Sequence, residues 1–120
     1  MAARGRAYRK RVYDAAADWV RESGGCCVCG YVSTEAVDAH HIDPSKKENT
    51  VAAMKNGTVE RLLDELDRCV PMCANHHRMF HAESRNGCAD WPLEDIIAKL
   101  KREHEAWVLE QAAAQERLPV

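Results

Sequence analysis

The chain has 120 residues, 46% of them hydrophobic and 30% charged, which fits one soluble globular domain with a small core. Seventeen Lys and Arg stand against 19 Asp and Glu, giving a formal charge of −2. That balance excludes a histone-like or strongly basic coat protein. It leaves room for a nucleic-acid enzyme, because local charge counts for more than the sum.

The first predicted element is a helix. Tyr8, Val12, Ala15, Ala16, Trp19 and Val20 recur at i, i+4, i+7, i+8, i+11 and i+12, one apolar helical face. Gly24 and Gly25 stop it, since both tolerate the left-handed backbone. Its charged face begins with Arg4, Arg6, Arg9, Lys10 and Arg11. The opening MAARGRAY leads into no apolar run of signal-peptide type. Asp14, Asp18 and Glu22 break the weak likeness of the arginines to a transit peptide. No apolar stretch approaches the roughly 18 residues of a membrane span. The expectation is a cytoplasmic protein with reduced thiols.

Residues 26–85 hold nearly all of the six Cys and six His. Cys26-Cys27-Val28-Cys29-Gly30 reads as a turn bearing thiols. The alternation Val37-Asp38-Ala39-His40-His41-Ile42 reads as a strand, ended by Asp43-Pro44-Ser45. A polar loop runs to Asn56-Gly57. Thr58 then caps a short helix with Leu62, Leu63 and Leu66. Cys69-Val70-Pro71-Met72 is a second short strand, and Cys73 to about Ser84 a helix. The last element is a helix with Pro92 at its first position and Glu94 and Asp95 in its first turn. Leu93, Ile96, Ile97, Leu100, Trp107 and Val108 form its apolar face, and a tail from Ala112 to Val120 is expected to fray. The parts are therefore a helix over 1–25, a metal-bound core over 26–85 and a helix over 90–117, in one domain.

The strongest signal is ligand spacing. Cys26 and Cys29 form a C-x-x-C pair, and Cys73 and His76 a C-x-x-H pair. Each pair can chelate from one tight turn or helix start, and two pairs complete a tetrahedral zinc site of structural type. Cys27, Cys69 and Cys88 are left over. Cys27 competes with Cys26 as a ligand, although Cys26 has the better spacing to Cys29. Cys69 reads as core. A second constellation is His40-His41 with His77 and His81. Four residues advance a helix by about 400°, so His77 and His81 share a face and can bind one cation together. His104 has no partner in the sequence.

These residues carry a resemblance. AHHIDP at 39–44, with CVCG at 27–30 before it and CVPMCANHHRMFH at 69–81 after it, resembles the HNH endonucleases. These are the ββα-metal nucleases, and the similarity is to phage or bacterial members with a zinc-bound finger. It spans about Cys26 to Glu83, half the chain. It implies an α+β fold: a small, treble-clef-like ββα core stapled by zinc, with helices at either end. It implies that His41 is the general base, that His40 and His77 bind the catalytic metal, and that His81 is a further or alternative ligand. It also implies DNA as substrate, one catalytic metal and 5′-phosphate products.

Two departures stand out. Arg68, nine residues before His77, occupies the place of the middle Asn, so altered bracing of the base or a contact to phosphate is expected from it. His76 replaces the usual fourth Cys, which zinc accepts. An imidazole-rich catalytic site favours Mn²⁺, Ni²⁺, Co²⁺ or Zn²⁺ over Mg²⁺. Three thiolates and two divalent ions would move the formal charge from −2 to about −1. The N-terminal basic cluster, with Lys46, Lys47, Lys55, Arg78 and Arg85, supplies phosphate contacts. A monomer or weak dimer is expected. The alternative is a non-catalytic zinc-finger module that binds DNA or protein, with phage packaging proteins as candidate partners. Such a module has no use for the paired histidines. Finally, neighbours on a regular strand point to opposite faces, so His40 and His41 can share one site only if the strand ends or bulges there.

Overall fold

A computed structural model describes residues 2–43 and 58–117. Most of the expected polar loop, including Lys46, Lys47 and Lys55, lies outside the described residues. The elements run α1 (Ala2–Glu22), β1 (Val37–His41), α2 (Val59–Leu66), β2 (Cys69–Cys73), α3 (Ala74–Asn86) and α4 (Leu93–Glu116). None of the described helices is long and apolar enough to cross a membrane.

Helix α1 ends in a Schellman motif. The Gly25 N–H reaches Val20 O at 2.9 Å and the Gly24 N–H reaches Arg21 O at 3.1 Å. Gly25 has φ +78, and a Cβ there would lie 2.7 Å from Gly30 O, Tyr31 O and Val32 Cγ2. Glycine is therefore required where the chain folds back into the cysteine turn.

β1 and β2 pair antiparallel, with Val37 opposite Cys73 and His41 opposite Cys69. Pro71 lacks an N–H, which a two-stranded sheet tolerates because both strands are edges. Its carbonyl accepts from the Cys27 N–H at 2.8 Å and so ties the cysteine turn to β2. Cys73 then ends the strand and caps α3, its sulfur accepting from the His76 N–H. The chain thus forms a ββα unit, β1–β2–α3, with the spacing of Cys73 and His76 set by the cap itself.

Two apolar clusters hold this unit. Met72, Val37, Phe80, Ile96 and Leu100 pack with Val20, Cys26 and Val28, fastening α3 to α4 and to the end of α1. Val12 packs on Leu62 and Leu66, fastening α1 to α2. Thr58 caps α2 as expected, accepting from the Arg61 N–H at 3.1 Å. Full burial of each such large aliphatic side chain contributes about 1.5–3 kcal/mol.

Helix α4 differs from expectation in three ways. Trp107 and Val108 are exposed rather than part of a buried face, because the fold ends at Leu100 and the helix continues past it. The helix also runs on to Glu116 instead of fraying from Ala112. The run Ala112-Ala113-Ala114-Gln115-Glu116 consists of strong helix formers, with no Gly or Pro to stop it. Pro92 lies one residue earlier than expected, at the cap, its carbonyl accepting from the Asp95 and Ile96 N–H groups.

Candidate metal centres

The cysteine turn, the end of β2 and the start of α3 converge on one point. Ligand atoms of Cys26, Cys29, Cys73 and His76 all lie within 4.8 Å of one another. Cys29 and Cys73 sulfurs are 3.9 Å apart, and His76 Nδ1 is 3.8 Å from Cys26 Sγ and 3.2 Å from Cys73 Sγ. A tetrahedral zinc with bonds of about 2.3 Å to sulfur and 2.0–2.1 Å to nitrogen would require separations of about 3.8 and 3.6 Å. The donor set therefore fits such an ion. Charge points the same way. Hydrogen bonding, first from Cys27 and then from nearby backbone groups, holds the Cys26 thiol down at about 3 against its burial. Burial, with the sulfurs of Cys26 and Cys73 nearby, pushes Cys29 up to about 11. One thiolate is easy here and further ones repel it, a conflict that a divalent cation removes.

The remaining cysteines lie elsewhere. Cys27 stands beside Cys26, outside the four, with its thiol raised first by the Cys26 hydrogen bond and then by burial. Cys69 is buried and donates to Glu65 O at 3.4 Å. Cys88 is buried against Glu83 at 3.7 Å. His104, solitary in the sequence, lies edge-on to the His76 ring at 5.4 Å and stacks with Trp107 at 6.1 Å.

The second cluster comprises His40 from β1 with His77 and His81 from α3. His77 Nε2 lies 3.1 Å from His40 Nδ1 and 3.1 Å from His81 Nε2. Three imidazoles round one zinc-sized ion would have nitrogens about 3.3–3.4 Å apart, so this trio also fits a metal. Burial first, then the charges of His77, His81 and His41, push His40 down to about 4, so at neutral pH it offers a lone pair. His81 is lowered in the same way by burial, His77 and Arg85.

Asp38 was not expected. It lies two residues before His40, on the same face of β1, and accepts from His77 Nδ1–H at 3.0 Å. That bond turns the Nε2 lone pair of His77 toward the other two histidines. The strand alternation was the signal that could have found it. Asp38→Ala should weaken Co²⁺ binding at the histidine trio by about 10-fold, within the range for such outer carboxylates. A visible-absorption titration of chain already loaded at the cysteine cluster would show it.

His41 is elsewhere. The ladder stays regular through the pair His41–Cys69, without a bulge, so His40 faces α3 and His41 faces α2. There His41 Nε2 meets Glu65 Oε1 at 2.6 Å. Arg68 Nη1 donates to Glu65 Oε2 at 3.0 Å, and Arg68 Nη2 to Asp64 at 3.4 Å. The Arg68 carbonyl accepts from the Ile42 N–H at 2.9 Å, just after His41. Arg68 therefore touches the surroundings of His41 through both side chain and main chain. Glu65 is the other residue the sequence reading missed. It sits at i+3 from Leu62 and beside Leu66, a carboxylate on the buried face of α2.

A two-stranded antiparallel sheet followed by a helix, with a Cys₃His cluster at one end and a histidine trio between strand and helix, is the ββα-metal arrangement. The sequence family described as HNH endonuclease matches residues 26–84, and through this segment the chain belongs to that family. The family points to a nuclease-type function. No curated protein and no solved structure matches the chain.

Proposed function

We propose that the protein is a metal-dependent endonuclease that hydrolyses DNA phosphodiester bonds. The observation that carries this reading is the histidine trio on the β1–α3 face beside a separate Cys₃His cluster. A purely structural finger needs only the second. Cys26, Cys29, Cys73 and His76 would hold a structural zinc, and His40, His77 and His81 the catalytic ion. A divalent cation there supplies charge stabilisation to the phosphoryl group and the leaving 3′ oxygen.

The chain's own residues do the rest. β1 ends at His41, the condition under which it and His40 can serve one site, and His41 serves as the base that takes the proton from the attacking water, a task suited to an imidazole near neutral pH. Arg85 lies one helical turn beyond His81 on α3, exposed, and Arg78 is exposed beside His77. Both would meet phosphates flanking the scissile one. Arg6, Arg9, Lys10 and Arg11 form an exposed basic run on α1, with Arg11 over the Tyr8 ring at 5.6 Å and Lys10 paired with Asp14. Binding that uses them weakens as salt rises.

Plasmid nicking by the zinc-loaded chain in Mg²⁺, Mn²⁺, Ni²⁺ or Co²⁺ tests the reading. Cleavage is expected with the transition metals at lower concentration than with Mg²⁺, because the three donors are imidazoles. His77→Ala should abolish it while leaving one zinc per chain. Cleavage supported by Mg²⁺ alone would refute the assignment of the trio. No cleavage in any metal, with DNA still bound at low salt, would leave a DNA-binding module in place of an enzyme.

A further inference from the structure

One buried group has no part in either metal cluster. Glu65 is 2% exposed, yet it is charged and lies on the apolar side of α2 between Leu62 and Leu66. A carboxylate in such a position is costly unless each oxygen is satisfied. Here Oε1 receives His41 Nε2 at 2.6 Å and Oε2 receives Arg68 Nη1 at 3.0 Å. A guanidinium at 3.0 Å favours the carboxylate form of Glu65, and a carboxylate can only accept. The hydrogen between His41 and Glu65 therefore belongs to Nε2. The other ring nitrogen, Nδ1, has no hydrogen-bond partner among the described residues. No unpartnered side-chain nitrogen or oxygen of the described residues is fully buried, so Nδ1 is not completely enclosed.

We propose that Glu65, itself fixed by Arg68, is the positioning residue for His41. It holds the ring as the Nε2–H tautomer and turns Nδ1 outward as the proton acceptor. The inference deepens the nuclease reading and rests on it. When Nδ1 takes a proton from water, the ring becomes a cation already paired with a carboxylate, and the proton stays on Nδ1. The logic is that of a carboxylate orienting a catalytic imidazole without itself accepting the proton. Arg68 then replaces an amide brace by a charged one, acting on His41 through Glu65.

The test has a readout independent of cleavage. In chain labelled with ¹⁵N-histidine and loaded with zinc, at about pH 8, where an ordinary histidine is neutral, His41 should carry its proton on Nε2. A spectrum showing His41 protonated on Nδ1 overturns the proposal, and it does so without any variant. In Glu65→Gln the two tautomers should mix. Its kcat should fall by about 10²- to 10⁴-fold, while KM moves by less than about threefold, since the loss is confined to the transition state. Glu65→Asp should recover part of the rate. Undiminished cleavage by a folded Glu65→Gln overturns this proposal alone. Absence of cleavage by the parent chain in every metal overturns the nuclease reading, and this proposal with it.

Discussion

His41→Ala is expected to lower the nicking rate by about 10²- to 10⁴-fold, the usual contribution of a positioned general base. The histidine trio should still bind its ion, because His41 meets Glu65 and is not among the three histidines whose ligand atoms converge. The fold should also survive. Arg68 remains bonded to Glu65 in the variant, so the buried carboxylate keeps a charged partner. His41→Asn is the sharper comparison, since its amide can still donate to Glu65 while offering no basic nitrogen. Both variants should match the parent in zinc content and in DNA affinity, and differ from it only in turnover. Parental turnover in His41→Asn would show that His41 is part of the scaffold, and that the water is activated elsewhere.

The sequence made the two metal clusters legible because ligand spacing is local. Cys26 and Cys29 share a turn, Cys73 and His76 share a helix cap, and His77 and His81 share a helix face. The ββα order was legible for a similar reason, since strand alternation and the Thr58 cap lie within a few residues. What escaped was tertiary. Glu65 is 24 residues from His41, and only the packing of α2 across the sheet brings them together. Asp38 meets His77 across 39 residues. The opposite facing of His40 and His41 was foreseen from strand geometry, and the ladder shows it, with His40 meeting His77 and His41 meeting Glu65. The two residues thus serve two surroundings, one rich in imidazole and one anchored by a carboxylate. Trp107 and Val108 show the opposite failure. Their spacing is that of a buried helix face, but both are exposed. Periodicity marks a face, and only the surrounding elements decide whether it is covered.

Removal of the zinc proposed for the Cys₃His cluster should have the largest effect on stability. The cluster joins the turn after α1 to the end of β2 and the start of α3, adding to the Cys27–Pro71 hydrogen bond and the apolar contacts between them. Cys26 and Cys73 are also members of the main apolar cluster, so the metal and the core share the same residues. Binding of structural zinc in small finger peptides is worth about 10–16 kcal/mol at neutral pH. A domain of this size has a total stability of about 5–15 kcal/mol. Loss of the ion therefore matches or exceeds the whole margin. Cys73→Ser should be the most damaging single substitution, because Cys73 is at once a candidate ligand, a buried residue and the cap of α3. The expected result is a chain with no cooperative melting transition, and the parent treated with a strong chelator should behave alike until zinc is restored. Cys88→Ala is the control: its thiol meets Glu83 rather than the cluster, so it should keep its zinc and its transition. If Cys73→Ser or the chelated parent melted cooperatively within a few degrees of the zinc-loaded chain, the cluster would not be the staple of this fold, and the apolar contacts of Met72, Phe80, Ile96 and Leu100 would have to hold it alone.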